Sequence, residues 1–436
     1  MSFSPTEDAV NSRAFARKTG GGTAGSGRWP GIGAAITAAI TAFIAAALIG
    51  VPVAVRAQDQ APGAAAAPPV LQPPVAGTLS ANQKPARFDA GAAGPVYVTG
   101  VLSGLIQSQS NRLPSDQAWE ADLDNAQLFI NKPNGVWQFF VQAGYYALPV
   151  LGAAYVHANN ATPSLYTPFP QAYLKYAPND NFSVMAGKLP TLVGAESSFT
   201  FQNMNIQRGL LWNQENAVNR GVQLNYTRGA LTLAFSVNDG FYSTHPSWIS
   251  GLASYALDKS STLTFVGAGN TRETDVSSFR TPLFQNNQQI YNLIYTRTEG
   301  PWTIQPYLQY GHVPRLAQFG GNASASTWGG ALLASYDFGS EGTPAALRMP
   351  GFRLAGRLEY IGSTGSVPGG APNLMYGPGS AAWSLTLTPT WQHKRFFVRG
   401  EVSYVGTSDT AQGAAFGTSG NKGAQVRGLV ELGLLF

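Results

Sequence analysis

Seven ionised side chains recur at even spacings toward the C-terminus: Arg353, Arg357 and Glu359, then Arg399 and Glu401, then Arg427 and Glu431. Separations of two and four residues put the members of each set on one face of an extended strand, where side chains alternate. Aimed at lipid, a charge at mid-depth costs roughly 2–4 kcal/mol, whereas in a watery interior it is tolerated and sorts ions. These seven are therefore expected to line a wet interior along one wall. Four positive charges against three negative ones predict at most a weak preference for anions. The competing arrangement is a self-neutralising ladder of salt bridges that stiffens the wall.

A second group, Lys188, Glu196, Arg208, Glu215 and Arg220, brackets a stretch that also holds Phe199, Phe201, Met204 and Trp212. Nothing in either group is arranged for catalysis. The four histidines, His157, His245, His312 and His393, fall in separate connections, which gives neither converging metal ligands nor a base beside a nucleophile. Glycine-rich pieces such as 365–370 do not join a strand to a helix, so they are not phosphate cradles. The absence of cysteine rules out disulfides, thiolate zinc and cysteine-held clusters. No enzyme, metal or other cofactor is expected.

Composition says what must position these residues. Charged residues make up 11% of the 436, against about 25% in soluble domains, yet the mean hydropathy is only −0.06. A chain poor in charge but not apolar on average suits a transmembrane β-barrel, with one face in lipid and one in water. From residue 96 onward the hydrophobic period is two, which predicts an all-β fold. Sixteen strands are expected, at 96–107, 123–131, 136–146, 170–177, 181–188, 220–228, 231–239, 248–257, 261–270, 289–298, 302–311, 327–337, 351–361, 382–391, 396–405 and 424–436.

Connections after even-numbered strands are mostly tight turns, and those after odd-numbered strands are long. Short turns on one rim and long loops on the other mark an antiparallel barrel in an outer membrane. Aromatics eight residues apart recur on single strands: Trp137 and Tyr145, Trp302 and Tyr310, Trp328 and Tyr336, Phe352 and Tyr360, Trp383 and Trp391, Phe396 and Tyr404. Eight residues on a tilted strand span roughly 20 Å along the membrane normal, near the height of the apolar band between two aromatic girdles. The opposite faces are polar, as in Ser384, Thr386, Thr388 and Thr390.

Two segments precede the barrel, which itself spans 96–436. Residues 1–57 read as a signal peptide: Arg13, Arg17, Lys18 and Arg28 lead into an uncharged stretch that ends at Val55-Arg56-Ala57. Removing it takes five of 27 basic and two of 22 acidic residues, leaving a net charge near +2 and no support for nucleic-acid binding. Residues 58–95, rich in Ala and Pro, read as a disordered periplasmic leader. The chain ends on Phe436, preceded on the same face by Leu434, Leu432 and Val430, a pattern expected to signal to the outer-membrane barrel assembly machinery.

The run Gln171-Ala-Tyr-Leu-Lys-Tyr-Ala-Pro178 and the following Met185-Ala-Gly-Lys-Leu-Pro-Thr-Leu-Val-Gly-Ala-Glu196 resemble the strand–turn–strand and loop entry of the OmpL-like β-barrel porin family. The resemblance extends in architecture over 96–436 and, more loosely, to the general porins. It implies an outer-membrane channel for small hydrophilic solutes or ions, surrounded by lipid, with homotrimers by analogy. It also implies that loop 189–219, the third long one, enters the lumen as a constriction carrying Lys188, Glu196, Arg208, Glu215 and Arg220. Loop 147–169, with Tyr155, Tyr166 and Phe169, would then cover a neighbouring subunit. The alternative is a barrel that serves as an anchor or adhesin through its long loops.

Overall fold

A computed structural model describes residues 77–114 and 116–436. The signal expected at 1–57 and the leader residues 58–76 lie outside the described residues. In chain order the strands are β1 Ala86–Asp89, β2 Pro95–Gln109, β3 Trp119–Lys132, β4 Trp137–Tyr146, β5 Gln171–Tyr176, β6 Phe182–Pro190, β7 Val218–Arg228, β8 Leu231–Asn238 and β9 Trp248–Ala256. They continue as β10 Ser261–Asn270, β11 Gln289–Glu299, β12 Trp302–Val313, β13 Ala325–Asp337, β14 Phe352–Ser363, β15 Ala381–His393, β16 Phe396–Ser408 and β17 Ala424–Leu435.

Strands β2 to β17 pair antiparallel, each with its sequence neighbour, and β17 returns to β2 from Arg427 opposite Gln109 to Leu435 opposite Val101. The sheet is a closed sixteen-stranded barrel, and closure satisfies every ladder hydrogen bond that an edge would expose. No helix among the described residues is long and apolar enough to cross a membrane. The crossing is left to strands.

Alternation sets the two faces. On β15, Ser384, Thr386, Thr388 and Thr390 are buried inside, while Trp383, Leu385, Leu387 and Trp391 are exposed outside. The expected aromatics all stand on the outer face, in two bands. Register pairs them across strands: Trp302 opposite Tyr336 and Phe352 opposite Trp391 near the short turns, Tyr310 opposite Trp328 and Tyr360 opposite Trp383 near the long loops. Ring centroids lie 4.8 Å apart in Trp302–Tyr336 and 4.9 Å in Trp383–Tyr404, the spacing of interacting aromatic pairs.

Residues 77–95 depart from the disordered leader that composition suggests. The short strand β1 pairs with residues 95–98 of β2, continuing the line of β17 below its last rung. Ahead of it, Thr78 and Leu79 are buried inside the barrel mouth. The Arg353 guanidinium donates to the Thr78 carbonyl (2.7 Å) and the Ser80 hydroxyl (3.0 Å). Gln392 accepts from the Ser80 N–H (2.7 Å) and donates to its carbonyl (2.8 Å). Gly77, at φ +72°, lies so close to Met204 that a Cβ would stand 2.6 Å from the Met204 nitrogen. Alanine–proline composition registers a weak tendency to fold alone, and it cannot register a wall of donors waiting inside a barrel.

Candidate functional site

The seven charges face inward, as their parity requires, but water does not reach six of them. The arginines Arg357, Arg399 and Arg427 are buried, as are Glu359, Glu401 and Glu431, beneath residues 191–217, which descend from the top of β6 into the lumen. The loop approaches the wall because its backbone is bonded to it. Arg399 donates to the carbonyls of Thr200 (3.0 Å), Asn203 (3.0 Å) and Met204 (2.9 Å), and pairs with Glu431 at 3.4 Å. Arg357 pairs with Glu196 at 2.6 Å and Glu359 at 3.1 Å, and donates to the Gln207 carbonyl. Glu401 accepts from the Gln207 side chain at 2.9 Å and from two backbone N–H groups, those of Ile206 and Gln207.

Arg427 extends the pattern to a second loop. It donates to the Val150 carbonyl (2.8 Å) and to the side chain of Gln207 (3.0 Å), and approaches Asp116 at 3.7 Å. Arg353 stands apart at the short-turn end, ion-paired with Asp337 at 2.9 Å and holding the 77–80 segment. The charged wall expected to line a wet interior is therefore a docking surface for chain segments. A folded loop offers many carbonyls with no intrahelical or ladder partner, and five-donor guanidinium groups satisfy several at once.

Apolar anchors and one glycine complete the seat. Phe201 meets Phe129 of β3 at 5.6 Å, and Phe199 meets Tyr146 of β4 at 5.1 Å. Gly209 passes so close to Glu359 that any Cβ would collide with its carboxylate, while its N–H donates to Glu196 at 2.8 Å.

Three of the five charges assigned to the loop enter the lumen with it. Glu196 is spent on Arg357, and burial raises its carboxyl pKa even though that arginine opposes the shift. Arg208 lies against the Trp212 ring at 5.3 Å with no hydrogen bond to its guanidinium, and burial pushes its pKa down to about 10. Glu215 is buried without a hydrogen-bond partner, and burial, reinforced by Glu196 and Glu359, pushes its carboxyl well above the usual range. Lys188 and Arg220 do not belong to this set. They face each other across β6 and β7 with the parity of the lipid-side Val222, and gather with Arg280 about the Tyr242 ring at the long-loop rim.

Loop 147–170 also turns inward. Val150 bridges Arg208 in parallel, Tyr155 is buried, and Tyr166 packs on Tyr146 and Tyr242. Only Phe169 of the three aromatics expected to reach a neighbour remains exposed. His157 fixes the far side of this loop, with Glu120 at 2.8 Å and Asp122 at 3.2 Å from its ring nitrogens.

The wall that the loops leave uncovered is the one that charge-based reading overlooks. Inward positions on β7 to β12 carry Asn225, Thr232, Ser254, Thr264, Thr296 and Gln305, all only half buried. They pair among themselves, Ser254 with Thr264 at 2.7 Å and Gln305 with Thr296 at 3.0 Å. These hydroxyls and amides lie toward the short turns; higher on the same strands Val266 and Ile290 pack with Val193, Asn292 accepts from the Gly194 N–H, and Gln309 donates to the Leu211 carbonyl, so the loop covers that half. The signal of the uncovered half was present in the alternation, without any charge to mark it.

A barrel of this strand number, with a long loop folded against one wall and a neutral polar face opposite, belongs to the channel-forming class of outer-membrane proteins. The chain matches the family described as "Putative beta-barrel porin-2, OmpL-like" over residues 95–436 and belongs to it. Among curated proteins none matches the sequence. Among solved structures it is similar to an anion-selective porin from Comamonas acidovorans, at 12% identity and TM-score 0.52 over 78% of this chain and 99% of that one. It is also similar to the outer membrane channel DcaP of Acinetobacter baumannii, at 11% identity and TM-score 0.52 over 80% and 99% of the two chains. OmpT of Vibrio cholerae, an outer-membrane protein, aligns at 11% identity and TM-score 0.50 over 79% and 99%. At these identities the likeness is one of fold.

Proposed function

We propose that the protein is a diffusion channel for small hydrophilic solutes, with residues 191–217 as its constriction and residues 1–57 as the export signal. The observation that carries this reading is the asymmetry of the lumen. One wall is sealed under docked loops, and on the facing strands, β7 to β12, the half toward the short turns presents half-exposed hydroxyls and amides with no fixed charge. Such a surface replaces water hydrogen bonds for a neutral solute without holding it strongly, which is what passage requires. The charged wall contributes rigidity to the constriction, and ion selectivity from it is weak because its guanidinium groups are paired. The outward aromatics sit at the two lipid interfaces.

A second reading, a barrel anchor with a blocked lumen, draws support from the burial of two loops and of residues 78–79 inside the barrel. Planar-bilayer recording separates the two. Stepwise conductance, with reversal potentials near zero in a salt gradient, is expected of the channel, and persistent silence would establish the anchor. Liposome swelling with neutral sugars then gives the size limit.

A further inference from the structure

The mouth at the short-turn rim contains a cavity of about 640 Å³ that neither the constriction nor the polar wall accounts for. One side of it is residues 80–84, the other the turns that carry Gly351, Arg353, Gln392, Lys394 and Arg395. Four of these ten lining residues are cationic and none is acidic, in a chain where charged residues of both signs make up only 11%. Arg353 is fully engaged with Asp337, Thr78 and Ser80, and acts as the scaffold. Lys84, Lys394 and Arg395 are different. Their side chains have no partner among the described residues.

Folding alone does not explain where two of these cations sit. Lys394 and Arg395 form the whole two-residue turn between β15 and β16, and Lys394 adopts φ +54°. Asn-Gly is the preferred pair for such a turn, because a positive φ is costly for a residue with a long side chain. The strand ends would be joined more cheaply without either charge. Three like charges held around one concavity also repel each other within a Debye length of about 8 Å at physiological salt. A cleft lined by one sign of charge focuses its field on the opposite sign. The Asn82 amide and the Ser80 hydroxyl supply neutral donors beside the cations, and the volume suits a small molecule.

We propose that this cavity is a binding site for small polyvalent anions bearing carboxylate or phosphate groups, built jointly by the seated segment 77–84 and the short-turn rim. The segment supplies Lys84 and closes the open side, and Arg353 and Gln392 keep it in place. The site is separate from the constriction and from the neutral wall. Only its consequence for traffic, a raised concentration of anions at one mouth, rests on the channel reading.

The test is titration calorimetry on the full mature chain in detergent, with citrate, pyrophosphate and, as the neutral comparison, glucose. Saturable binding of citrate or pyrophosphate, but not glucose, is expected, and the stronger of the two identifies the favoured acid group. Combining Lys84→Gln, Lys394→Gln and Arg395→Gln should weaken it by about tenfold or more. Gly77→Val leaves every lining residue unchanged but drives the segment off Met204, and should weaken binding to a similar extent. Retained heat-modifiable gel mobility certifies the barrel in each variant. No anion binding by the wild type, or equal binding by the triple variant, overturns the site. Equal binding by Gly77→Val overturns the part assigned to the segment. Because calorimetry needs no conduction, a silent bilayer with intact anion binding would sink the channel reading and leave this one standing.

Discussion

Arg399 shows how far a residue's sequence position can be read. Its inward parity followed from alternation, since β16 presents Val402 to lipid and Arg399, Glu401 and Ser403 to the interior. What it touches did not follow, because Thr200, Asn203 and Met204 are about 200 positions away in the chain. Removing one member of a buried, bonded charge network typically costs about 3–5 kcal/mol, because the remaining partners stay buried and unpaired. Arg399→Ala should therefore free the 199–204 backbone, seen as lost hydrogen-exchange protection there while the strands stay protected. Unchanged protection would mean that the loop is held by Phe199 and Phe201 alone. Glu215 yields a pH dependence. Its carboxyl pKa is raised in the docked state, so the docked loop binds the proton more tightly than the undocked one. Docking is then strongest below the ordinary carboxyl range and weakens as pH rises toward the raised value. The protection of loop amides, with the intrinsic pH dependence of exchange divided out, should be greater at about pH 5 than at about pH 8, and Glu215→Gln should remove that difference.

At the scale of elements, strands were legible and loop destinations were not. Period-two alternation located all sixteen barrel strands because each must satisfy lipid on one side and water on the other, and no tertiary contact overrides that demand. A loop answers to no such period. Residues 191–217 and 147–170 both fold inward, the second against the expectation that it reaches a neighbour, because the carbonyls of Val150 and Ala153 meet Arg427. The segment 77–84 was the least legible element, since its composition describes only the chain on its own. Its seat predicts a change in transport. Deleting 77–84 removes material from one mouth of the lumen, so unitary conductance should rise, by roughly 1.5- to 2-fold if that mouth shares control of the current with the constriction. The chain has no cysteine, so a Thr78→Cys, Thr390→Cys pair, whose hydroxyls stand 3.1 Å apart, gives an unambiguous check of the seat by disulfide formation. Failure to cross-link under oxidation would remove the basis for the conductance prediction.

The whole molecule depends on its seam, because a sixteen-stranded sheet is a barrel only if the first and last strands meet. Nine residue pairs join β17 to β2, and Phe436 adds a reciprocal pair of backbone hydrogen bonds with Gly100, at 2.6 and 2.9 Å. The Phe436 ring lies over Gly100 on the outer face, where an added Cβ would stand 2.5 Å from it. An aromatic covering a strand glycine in this way restores the apolar contact that the glycine lacks and pins the register. Two glycines on the same strand give a controlled test of the seam. At Gly104 a Cβ meets only the Asp122 carbonyl, at an ordinary 3.6 Å. Gly100→Val must expel the Phe436 ring, whereas Gly104→Val adds a methyl-bearing side chain to a lipid-facing position that has room for it. Gly100→Val should therefore lower the temperature at which the folded, fast-migrating form is lost on gels, and slow assembly in vesicles, while Gly104→Val leaves both near wild type. If the two variants behave alike, the ring over Gly100 does not secure the closure, and the nine paired residues hold the barrel shut without it.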